Sequence, residues 1–88
     1  MARLEMENAD FAGMGAGANA DSLFEMGLAC ATGRNGDADL VAAHKWFNIA
    51  AIKGSPRAGA LRAEIAETMN KAELAKALRE AREWMTRH

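Results

Sequence analysis

Apolar side chains recur at helical spacing from Ala20 onward, and not before it. Leu23, Phe24, Met26, Gly27, Leu28 and Cys30 share the stripe of a helix over about 20–32, which Asn19 or Asp21 can cap and Gly33 can end. The turn-rich Gly33-Arg-Asn-Gly-Asp-Ala38 follows, of the length that joins antiparallel helices. Asp37 or Asp39 then opens a second helix running to Lys53, with Gly54 as its stop. Between 40 and 53 only His44, Lys45, Asn48 and Lys53 are polar, so this helix needs cover on more than one side. Ser55-Pro56 leads into a third helix over about 57–68, with Ala58, Leu61, Ile65 and Ala66 on one face and Arg57, Arg62, Glu64 and Glu67 outside. Asn70-Lys-Ala-Glu73 has the form of a capping box in which Asn replaces the usual Ser or Thr. A fourth helix runs from it through Leu74, Ala77, Leu78, Ala81, Trp84 and Met85. The pattern predicts an all-α fold: four helices in two antiparallel hairpins, a short α/α solenoid.

Residues 1–19 show no period, and Gly13, Gly15 and Gly17 make a stable helix there costly, so a flexible arm is expected ahead of a helical domain over 20–88. Phe11 and Met14 in that arm have no evident core to join; they either dock back on the domain or insert into a partner.

Composition changes the picture of the core. Ala supplies 21 of the 88 residues, whereas Leu, Ile, Val and Phe together supply 14. Such scarcity of bulk would point to disorder in a highly charged chain, but the net charge is only −1, so close Ala-based packing of helices is expected instead. The bulk is concentrated at Phe24, Trp46, Phe47 and Trp84. Trp46 and Phe47 face about 100° apart on a helix, which again calls for cover on two sides.

The near-neutral total hides an asymmetry. Residues 1–44 hold two cations against seven carboxylates, and residues 45–88 hold nine against five. Such a gradient suits docking to an oriented partner or head-to-tail self-association. It does not resemble a nucleic-acid footprint, because the bases of the last helix alternate with acids as Lys76 with Glu80, Arg79 with Glu83, and Glu83 with Arg87. The lone Cys30 allows no intramolecular disulfide and is expected to be a small buried residue. Acidic residues where a signal peptide needs an apolar stretch, and no run long enough to span a bilayer, make a cytoplasmic protein without a membrane partner the expectation.

Internal repetition is visible at one offset. A shift of 38 residues aligns Ala20-x-x-Leu23 with Ala58-x-x-Leu61, and Ala43-x-x-Trp46 with Ala81-x-x-Trp84. Ala at a helix crossing lets backbones approach, and the large residue one turn on fills the space above it. The ordered series Leu23, Met26-Gly27, Cys30, Gly33, an Asp-bearing loop, Ala43-His-Lys-Trp46-Phe47, Ala50-Ala51, Gly54 and Ala58 resembles a repeat of the SEL-one-like family, relatives of the tetratricopeptide hairpins. The resemblance covers 20–57 clearly; 58–88 is similar to a degenerate second unit in which Ile65 answers Gly27. The layout is similar to that of small bacterial members of the family. It implies a scaffold that binds other proteins, without a shared catalytic residue, and it gives Phe24, Gly27, Gly33, Trp46, Phe47, Ala50, Ala51, Gly54 and Trp84 structural roles.

Candidate chemistry is sparse. Gly13-Met-Gly-Ala-Gly-Ala18 fits a dinucleotide-loop pattern, but no strand precedes it, and the G-x-x-x-G within it lacks an apolar membrane helix. Asn35-Gly-Asp37-Ala-Asp39 lacks the Gly and distal Glu of a calcium loop, so turn and capping duty is expected. His44 lies on the polar stripe of the second helix, where a surface or hydrogen-bonding role is expected, since no His or Cys stands at ligand spacing from it. No catalytic residue, cofactor or metal is expected. The expected function is that of an interaction module meeting another protein through Asp21, Ser22 and Glu25 of the first helix, with Phe11 and Met14 of the arm; the alternative is a unit that assembles with copies of itself, because stacked repeats need about three units and this chain offers two.

Overall fold

The computed structural model of the chain describes residues 19–34 and 36–87. Among them four helices and no strand are formed: α1 (Ala20–Thr32), α2 (Leu40–Ile52), α3 (Pro56–Ala66) and α4 (Lys71–Arg87). The fold is all-α. The predicted arm, apart from Asn19, lies outside the described residues.

Local chemistry sets each helix boundary. Asn19 caps α1 by accepting from the Ser22 amide, and the Ser22 hydroxyl accepts from the Asn19 amide in return, a reciprocal box. Gly33 closes α1 in the left-handed region at φ 72°, where a Cβ would also lie 2.6 Å from the Gly36 carbonyl oxygen; only glycine fits without strain. Asp39, rather than Asp37, caps α2 through the Ala42 amide. Lys53 and Gly54 end α2, Gly54 donating to the Ala51 carbonyl and Ser55 to the Ala50 carbonyl. The Ser55 hydroxyl then caps α3, with Pro56 at its first position. This helix starts one residue earlier and ends two residues sooner than the periodicity predicts, because Glu67, Thr68 and Met69 switch to carbonyls three residues back and wind into a tight turn. Asn70 and Glu73 complete the capping box of α4, at 2.8 and 2.9 Å.

The packing centres on α2, which makes the extensive contacts with each of the other three helices. Asp39 donates to the Cys30 carbonyl, Phe24 meets Phe47, and Arg57 past the end of α2 lies over Phe24, so α1 and α2 run antiparallel. Asn48 faces Arg62 and Ala51 faces Gly59, so α3 runs antiparallel to α2 in turn. Small residues sit where these helices close in: Ala43, Ala50, Ala58, Ala77 and Ala81 are fully buried, and Ala51 is half-buried. Leu23, Phe24, Phe47 and Ile49 fill the space between them.

Two contacts give this core its shape. An added Cβ on Gly27 would lie 2.5 Å from two ring carbons of Phe47, so the phenyl ring rests directly on the α1 backbone. On the other side of α2, Trp46 and Trp84 meet edge to face at 5.6 Å and 83°, fastening α4 to α2. These are the tryptophans that the 38-residue shift equates. Lys45 completes that corner, its ammonium 4.2 Å from the Trp46 ring.

Candidate functional site

Asp21 and Glu25 are exposed, one turn apart on the same edge of α1, with the opposite face of the helix buried. Neither carboxylate enters an ion pair among the described residues. Ser22, expected to share this surface, is engaged within the chain: its hydroxyl accepts from the Asn19 amide at 3.3 Å and donates to the Asn19 carbonyl at 3.1 Å. Arg57 of α3 lies over the Phe24 ring of α1, its guanidinium 4.6 Å from the ring centre. Phe11 and Met14 lie outside the described residues.

At the C-terminal end the charge reverses. Arg79, Arg82 and Arg87 form an open patch on the outer surface of α4 together with Glu83 and Thr86, whose hydroxyl is turned back onto the Arg82 carbonyl. Of the three acid–base pairs predicted along α4, Lys76 and Glu80 approach to 4.0 Å, while Arg79 with Glu83 and Glu83 with Arg87 do not close. The arginines are therefore left to solvent or to an acidic partner.

The third polar group is internal. The placement of His44 on a solvated stripe is corrected: it is 4% exposed, and its Nδ1 is buried without a hydrogen-bond partner. The physical reason is α3, which lies over the edge of α2 that carries His44 and Asn48. Arg62 reaches across from α3 and donates to the Asn48 side-chain oxygen at 2.6 Å. Burial, with a smaller contribution from the Arg62 charge, holds the His44 imidazole below the ordinary histidine range. Sequence periodicity marks His44 as polar on its own helix but carries no information on which neighbour covers it.

Cys30 is half-buried against the core rather than enclosed, because it sits at the last turn of α1 beside the connector. Burial first, then the Asp39 carboxylate, raises its thiol above the usual range against the opposing effect of Lys45, so it is a poor nucleophile near neutral pH. Asp39 spends an oxygen on capping α2. No three His, Cys, Asp or Glu side chains among the described residues are grouped to hold a metal ion, and no helix is long and apolar enough to cross a membrane.

Comparison with known proteins brings no further constraint: no family model, curated protein or solved structure matches the chain.

Proposed function

We propose that the chain is a small cytoplasmic scaffold of the SEL-one-like kind, an interaction module that meets a basic segment of another protein along the exposed edge of α1. The observation that carries this is the pair Asp21 and Glu25, unpaired and solvent-facing on a helix held rigidly from behind by Phe47 and Leu23. The order of Leu23, Gly27, Gly33, Trp46, Ala50-Ala51 and Gly54 supports the family assignment. Reversing both charges with Asp21→Lys and Glu25→Lys is expected to weaken capture of the partner about tenfold while lowering stability by about 1 kcal/mol, most of it from Asp21, an acid in the first turn of α1. Quantitative pull-down with mass spectrometry measures this. A partner held equally by wild type and the double variant, or none recovered in stoichiometric amount, rejects the proposal.

Self-assembly is the second reading, and the charge layout favours it. The acidic edge of α1 on one copy complements the arginine patch of α4 on the next, and Ile52 and Leu78 remain 59% and 42% exposed. Association of this kind makes the melting midpoint rise with protein concentration and fall with added salt. A midpoint unchanged over roughly a hundredfold dilution rules it out.

A further inference from the structure

The polar seam between α2 and α3 has no part in the proposed interaction, yet it contains the one buried side chain whose Nδ1 lacks a partner among the described residues. A neutral imidazole carries its proton on one ring nitrogen and leaves the other as an acceptor, so a ring with Nδ1 sealed and unpaired is tolerated only while it is uncharged. In the protonated ring both nitrogens are donors, so whichever tautomer precedes it, the imidazolium holds a buried Nδ1–H with nothing to receive its bond. The charged and titratable groups on the packed elements offer no relief. Arg62 from α3 is itself a cation and is committed to Asn48. Lys45, next along α2, is a cation turned onto Trp46. From the α1 side, Cys30 keeps its proton, and Asp39 caps the start of α2. The faces that α4 turns inward are Ala77 and Ala81, with Trp84 against Trp46. No carboxylate among the described residues pairs with His44.

We infer that His44 makes the α2–α3 seam an acid-sensitive joint: taking up a proton places a second, unpaired cation beside Arg62, and α3 loosens from α2. Two bonds hold α3 in place from its polar side, Arg62 to Asn48 and Arg57 over Phe24, and both belong to the helix that the new charge repels. Loosening α3 therefore also draws the Arg57 guanidinium off the Phe24 ring of α1.

The direction follows from proton linkage. Unfolded, the histidine takes up its proton near its ordinary value of about 6.5; folded, His44 binds it less readily. The unfolded chain is protonated first as pH falls, so stability is full above the ordinary value and declines from there toward the lower value of His44. One proton limits the slope to about a tenfold change in the folding constant per pH unit.

Denaturant titrations at pH 7.5, 6.5 and 5.5 on wild type and His44→Gln, with an NMR titration of the wild-type imidazoles and amide exchange along α3, test the joint. Wild type is expected to lose folding constant at up to about tenfold per unit below pH 6.5, with His44→Gln flat over that range. His44 is expected to titrate below the ordinary histidine value, with the protection factors of α3 amides, exchange rates divided into the intrinsic rate at each pH, falling over the same interval. Arg62→Gln removes the neighbouring cation and is expected to raise the His44 midpoint. If His44→Gln does not fold, the wild-type NMR and exchange data decide alone. A His44 midpoint at or above 6.5, or α3 protection factors unchanged from pH 7.5 to 5.5, overturns the inference, as does a folded His44→Gln that retains the wild-type slope.

Discussion

Truncating Phe47 to alanine is expected to leave the chain largely unfolded at room temperature. Phe47 is 1% exposed and heads the fully buried side chains by volume; its ring lies on the Gly27 backbone and 5.7 Å from the Phe24 ring. Removing such a ring deletes its transfer free energy and leaves a cavity, together about 3–5 kcal/mol. Small domains hold about 0.05–0.15 kcal/mol per residue, so the loss is comparable with the whole stability of this fold. The large side chains that share its cluster, Leu23, Phe24 and Ile49, are themselves buried and packed, and the remaining places in it are held by alanines, so the core closes the gap only in part. Circular dichroism during urea titration measures the effect. A cooperative transition at the wild-type midpoint would show that the ring is dispensable.

Gly27→Ala is expected to destabilise by about 1–3 kcal/mol, and the sign is the informative part. In the middle of an ordinary helix this change stabilises by about 1 kcal/mol, because alanine loses less backbone freedom on folding. Here the new methyl would sit 2.5 Å from two Phe47 ring carbons, which are rigid and enclosed, so overpacking outweighs propensity. Phe47→Leu supplies the control. A shorter side chain withdraws from the α1 backbone, and in that background Gly27→Ala is expected to become neutral or stabilising. The difference between the two backgrounds is a coupling free energy of about 1–3 kcal/mol, read from thermal or denaturant midpoints in a double-mutant cycle. Equal effects of Gly27→Ala in both backgrounds would mean that the close approach carries no energetic weight.

Much of this architecture is legible in the residues, for a local reason. Caps are satisfied by side chains within three positions, so the sequence marks Asn70 with Glu73 outright and narrows the other starts to Asn19 or Asp21, Asp37 or Asp39, and Ser55-Pro56, of which Asn19, Asp39 and Ser55 cap. The 38-residue offset pairs Trp46 with Trp84, and those rings touch. What periodicity cannot supply is the identity of the cover. His44 reads as solvated because the stripe of α2 is polar, and α3 then buries it. The seat of Phe47 on Gly27 is likewise a matter of distance between helices; spacing places Gly27 on the apolar stripe but is silent on how near the next helix comes. Of the expected partner surface, Asp21 and Glu25 are exposed. The Ser22 hydroxyl is turned to capping, which the sequence permits but does not single out, since Asn19 and Asp21 are both plausible caps.

The position of α2 has a consequence for cooperativity. In a linear stack each unit leans on its neighbour, and damage fades with distance along the row. Here α1, α3 and α4 are spokes that share one hub, and the hub is the helix with the narrowest polar stripe. A spoke can open while the others keep their seats, as the seam at His44 illustrates. A disturbance of the hub reaches every spoke at once. Along the described residues the hub follows α1 directly, so α3 and α4 are synthesised after the surface on which they pack. The order of synthesis and the order of dependence in the finished fold then coincide.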